Sequence, residues 1–69
     1  MNVTQEHIDW VIANPAIFRG NSRPSKDEKL YIYKIYNEIY NDSRKPNGCG
    51  ACLRTTVEGI SKAIEKHNK

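Results

Sequence analysis

Ser25 to Glu28, at the head of the run "SKDEKLYIYKIYNEIY", is an S-x-x-E box. In that spacing each side chain accepts a hydrogen bond from the other residue's backbone N–H, an arrangement that opens helices. The residues after the box narrow the choice further. At 100° per residue Ile32, Ile35 and Ile39 form one stripe, and Tyr33, Tyr36 and Tyr40 form a second stripe beside it, so the helix has two flanks that are buried or half-buried. The same residues have high β-propensity, which makes a strand the competing reading. Strict apolar/polar alternation is absent and the run exceeds an ordinary strand, so the pattern predicts a helix near residues 25–42.

A second apolar stripe runs through Leu53, Val57, Ile60 and Ile64, spaced i, i+4, i+7 and i+11, and predicts a helix near residues 50–67. Its outer face carries Arg54, Glu58, Ser61, Lys62 and Glu65, and Glu58 stands four residues before Lys62 in the favourable order for a helical ion pair. Towards the N-terminus, Thr4 reads as the N-cap of a helix near residues 4–14, with Glu6 and Asp9 close to its positive end and Ile8, Val11 and Ile12 on one face. Pro15 disfavours helix at Asn14. Asn14 then reads as a fresh N-cap for a short turn, "PAIFRG", closed by Gly20, with Ile17 and Phe18 plugging that end of the core. Polar, turn-rich connections occupy residues 21 to 24 and 41 to 48, and no internal repeat or low-complexity tract is present.

The expected fold is all-α: one small domain over residues 1–69, a compact three-helix bundle with a short additional helical turn. Its core would hold Ile32, Ile35, Ile39, Leu53, Val57, Ile60 and Ile64. At 69 residues a single core seldom supplies more than a few kcal/mol, so a staple or a partner is expected to matter. The hydrophobic fraction of 38% and mean hydropathy of −0.76 are low, but the apolar residues are ordered in stripes, which argues for folding over disorder. No run approaches the ~20 apolar residues of a membrane span, and the N-terminal stretch lacks a basic segment leading into an apolar one. The chain is therefore expected to be cytoplasmic and without a membrane role.

The two cysteines lie in "KPNGCGACLRTT", residues 45 to 56, in a C-x-x-C spacing. A structural zinc site wants four ligands, and beyond Cys49 and Cys52 the other candidates are His7 and His67. His67 is 15 residues beyond Cys52, about 22 Å along a continuous helix, so one chain cannot gather all four, although a four-cysteine site shared across a dimer could. Arg54 and Lys45 would favour a thiolate for redox work, but the βαβ scaffold usual for such a motif is missing. A disulfide between the pair would close too short a loop to restrict the unfolded chain much. The favoured reading is structural: small, weakly apolar residues at a helix entry, with Gly48 and Gly50 allowing a tight turn and no cofactor.

Net charge is +3, from 11 Lys/Arg against 8 Asp/Glu, with a pI near 9.0, which is mildly basic. A helix-turn-helix-like nucleic-acid binder is the alternative function, with Arg19, Arg23, Lys26, Arg44, Lys45 and Arg54 around the loops. In an up-down bundle the first and second loops fall at opposite ends, and Glu58 and Glu65 sit where a recognition helix would meet phosphates. The favoured function is docking to a protein partner or a second copy. Trp10, placed on the wheel nearly opposite Ile8, Val11 and Ile12, either folds beneath the "NPAIF" turn, the favoured reading for an isolated tryptophan, or joins the stripe of Tyr33, Tyr36 and Tyr40 as the surface for a partner, since aromatic residues are enriched at interfaces. His7 and His67 read as isolated surface or packing residues. No nucleophile–base order, carboxylate pair or phosphate-cradling glycine loop is visible, so an enzyme is not expected.

The segment "IYNEIYNDSRKPNGCGACLRTTVEGI", residues 35 to 60, resembles stretches in small uncharacterised proteins of tailed bacteriophages, in which a tyrosine-asparagine helix end precedes a polar turn and a Cys-Gly-x-Cys followed by arginine. The resemblance implies a phage accessory or virion-associated module, in host cytoplasm or virion, that docks onto a larger partner. It implies no activity for Cys49, Cys52 or Arg54.

Overall fold

The computed structural model describes residues 2–21, 23–46 and 50–67. The chain is all-α, and the described residues contain four helices and no strand: α1 Gln5–Ala13, α2 Pro15–Phe18, α3 Lys26–Tyr40 and α4 Gly50–His67. The strand reading of "YIYKIYNEIY" is thereby set aside. Ser25 caps α3 as its spacing demands, its Oγ accepting from Glu28 N–H (3.2 Å) while the Glu28 carboxylate accepts from Ser25 N–H (2.9 Å). Asn41 ends α3 in the left-handed region, at φ 52°, the conformation that commonly closes helices.

The N-cap of α1 is Thr4, but the box it forms uses histidine in place of Glu or Gln. Thr4 Oγ1 accepts from His7 N–H at 3.3 Å, and His7 Nδ1 accepts from Thr4 N–H at 3.2 Å. That leaves the ring proton on Nε2, which donates to Glu38 Oε1 of α3 at 2.8 Å. His7 is only 3% exposed, so it belongs to the packing. The inward face of α1 carries the buried His7 and Ile8, with Val11 half-buried beside them. Trp10 packs against the core, edge-on to Phe18 and tilted on Tyr31, and Ile12 is left 69% exposed. The sequence-based face holds for Ile8, which is in the core, and for Val11, which packs against it, and is corrected at Ile12. Asn14 holds the expected N-cap position before Pro15, but its side chain makes no cap hydrogen bond to α2 and instead donates to Trp10 C=O at 2.8 Å, satisfying a carbonyl at the end of α1.

The core gathers Ile8, Ile17, Ile32, Ile35, Ile39, Val57, Ile60, Ala63 and Ile64 from all four helices, with α3 against α4 as its main seam. Leu53, expected among them, is half-buried at the margin. Thr56 is fully buried, yet its hydroxyl is satisfied twice, donating to Cys52 C=O at 2.8 Å and accepting from Arg44 at 3.3 Å. The N-terminal residues are held by Asn2 N–H donating to Ile39 C=O at 2.9 Å, so α1 runs back along α3 from that end towards Tyr31. No helix among the described residues is long and apolar enough to cross a membrane.

Candidate functional site

The α2 turn determines where the cations go. Pro15 starts it, Gly20 at φ 78° ends it, and Ile17 is driven into the core, which folds the connection after α2 back onto α4. Between them lies a groove of about 800 Å³. Its floor is apolar, formed by the buried Ile17 and Val57 and the half-buried Phe18 and Leu53. Around that floor stand Arg19 and Arg23 from the connection, Lys29 from α3 and Arg54 from the first turns of α4, against one lining carboxylate, Glu58. Among the described residues none of these four cations is held in an ion pair. Four like charges around an apolar surface raise the local potential and favour an anionic occupant.

The expectation that the two connections contribute to opposite ends is therefore only half met. Arg19, Arg23 and Arg54 come together in one groove, whereas Arg44 lies apart, Lys26 is the exposed first residue of α3, and Lys45 is exposed and outside the groove. Arg44 has internal partners. Its guanidinium lies over the Tyr36 ring, 4.4 Å from the centroid, bonds Thr56 Oγ1 and approaches Asp42 at 3.7 Å. Its backbone is clamped by the Asn37 amide, which accepts from Arg44 N–H at 3.0 Å and donates to Arg44 C=O at 2.9 Å. An arginine so occupied positions the chain after α3 and is not displayed to a ligand.

The aromatic surface expected for a partner is corrected in the same way. Tyr33 is 3% exposed and its hydroxyl has no hydrogen-bond partner among the described residues, so it is a core residue and not a docking residue. Tyr36 is half-buried between Arg44 and Tyr40, whose ring centroid is 4.7 Å away. Tyr40 stands at the surface, but its hydroxyl donates to Gly59 C=O at 2.8 Å. Trp10 is half-buried against Phe18 and Tyr31. The tyrosines can lie so close because of Gly59. A Cβ there would lie 2.8 Å from Tyr36 Cε2, so the bare backbone of α4 lets the tyrosine rings settle on it.

Cys49 lies outside the described residues. Cys52 is exposed in the first turn of α4, and buried positions on that helix begin only at Thr56, one turn further on. The expected packing of Cys52 as a small apolar residue at the helix entry is therefore not what the structure shows. Among the described residues no three His, Cys, Asp or Glu side chains converge to hold a metal ion. The groove escaped sequence reasoning in two ways: Lys29 reads as an ordinary outward lysine of α3, and the floor residues Ile17, Phe18, Leu53 and Val57 read as core alone. Comparison with protein-family models, curated proteins and solved structures gives no match for this chain.

Proposed function

We propose that this chain is a non-enzymatic helical binding module that docks onto a larger protein partner, and that the groove between α2 and α4 is its docking site. The carrying observation is the convergence of Arg19, Arg23, Lys29 and Arg54 on an apolar floor without ion-pair partners among the described residues. Interface cores are depleted of charge and interface rims are polar, and a groove with an apolar floor and a cationic rim follows that division. Among the described lining residues there is no histidine, serine or cysteine and one carboxylate, which supports binding over catalysis. In this reading α1, α3 and α4 form a three-helix bundle and α2 is the added turn that shapes the site. A phage accessory or virion-associated role suits a module of this size that acts by docking.

The test is capture from the native lysate by the tagged chain, with and without nuclease, compared with an R19E/R54E variant. A protein retained by the wild type, insensitive to nuclease and lost by the variant, is the expected result. Equal capture by both chains would remove the groove from the function. Retention that disappears with nuclease would move the module to nucleic acid, where affinity falls with salt at a log–log slope of about −0.9 per phosphate contact.

A further inference from the structure

From the chemistry of that same groove, and resting on its reading as a protein-docking site, we infer that its occupant is an acidic peptide segment carrying an aliphatic or aromatic anchor. The two halves of the site ask for different things. Arg19, Arg23 and Arg54 present planar guanidinium groups, which pair with carboxylates in a bidentate fork, and Lys29 adds a point charge. A phosphate backbone would satisfy this rim equally well. The floor separates the two. Ile17, Val57 and Leu53 are aliphatic, and a phosphodiester chain has nothing to bury on them.

Single-stranded nucleic acid would need aromatic platforms for its bases. Phe18 is the one aromatic side chain among the described residues lining the groove, and its ring is already met edge-on by Trp10 at 5.8 Å. A leucine or phenylalanine flanked by Asp and Glu fills both halves at once, with burial supplying affinity and the acids supplying orientation and encounter rate. A volume of about 800 Å³ falls in the range of sites that enclose ligands of drug-like size, which accommodates a few side chains of one segment and not a whole domain face. Glu58 at the rim opposes any acid placed near it, so the segment's carboxylates should fall towards Arg19, Arg23 and Arg54.

The experiment is selection of short random displayed peptides on the immobilised full chain, followed by calorimetric titration of the enriched peptide. Enrichment of sequences with Asp or Glu around Leu, Ile or Phe is expected. The titrated peptide should lose about tenfold in affinity when its anchor becomes serine and about tenfold again on R23E/R54E, a 1.4 kcal/mol step each. Both arginines are exposed, so equal thermal stability of the variant would show that folding is not the cause. A peptide with Lys in place of Glu should recover binding to that variant. No enrichment, a consensus without acids, or a single-stranded oligonucleotide that displaces the peptide at equal concentration would overturn the inference. If the peptide fails while R19E/R54E still abolishes protein capture, the docking site stands and only its occupant is wrong.

Discussion

Arg44 and Arg54 are the same residue type in two regions built on different terms. Around Arg44 a chain of groups is paired internally: the guanidinium has Tyr36 and Thr56, Tyr36 has Tyr40, and Tyr40 has the Gly59 carbonyl. Around Arg54 the cations of the groove stand near one another with no ion pair among the described residues. Interactions made inside the chain contribute to folding and are withdrawn from partners. Charges gathered without neutralisation contribute nothing to folding, or oppose it slightly by repulsion, and remain available. The aromatic side therefore contributes to stability, and the cationic groove is left as the proposed docking site, the reverse of the weighting that residue types alone suggest.

The largest test reaches beneath both regions. Ile60 is fully buried where α3 meets α4, and Ile60→Ala should cost about 2–5 kcal/mol, enough to unfold much of a domain this small. Unchanged thermal denaturation of that variant would mean the shared core has been misassigned. Arg44→Ala comes next, with about 1–2 kcal/mol lost from the Tyr36 stack and the Thr56 hydrogen bond, read by chemical denaturation. A cost near zero would place Arg44 in the same class as the groove arginines and dissolve the contrast.

Gly59→Ala sharpens the contrast because two effects compete. Alanine gains about 1 kcal/mol of helix propensity, while a Cβ 2.8 Å from Tyr36 Cε2 forces a shift costing about 1–3 kcal/mol, so a net loss of about 1 kcal/mol is expected. In a Tyr36→Leu background the same change should become stabilising, and a double-mutant cycle in urea would show the coupling. The smallest effect is expected in the groove. Arg54→Ala should move stability by no more than about 0.5 kcal/mol, as exposed residues outside networks generally do, and a larger loss would reveal an internal role.

Features encoded within one turn of chain were readable from sequence. Ser25 with Glu28, Thr4 as a cap, Pro15 at the head of α2 and the isoleucines of α3 all express themselves through neighbours three or four residues away. Features that need a distant partner were not. His7 is an ordinary residue until Glu38, 31 positions later, accepts a hydrogen bond from its ring, a contact that goes with a rotation of α1 in which Trp10 is half-buried and Ile12 exposed. Gly59 reads as a mildly unfavourable helix residue until Tyr40, 19 positions earlier, reaches its carbonyl. The cations of the site were all visible as cations. Their convergence depends on how sharply α2 turns the chain back to α4, a tertiary fact that no local pattern carries.

Trp10 is the chain's single tryptophan, and Phe18, which it meets edge-on at 5.8 Å, is also a wall of the groove. The molecule thus carries its own optical probe one side chain away from the proposed docking site. An occupant pressing on Phe18 alters the surroundings of the indole without touching it, and should be visible as a change in emission intensity or wavelength with no dye attached. Loss of that response in Phe18→Leu, at a peptide concentration shown by calorimetry to saturate that variant, would show that the signal passes through the ring pair. The same emission, followed through unfolding, reports the junction of α1, α2 and α3 separately from the α3–α4 seam.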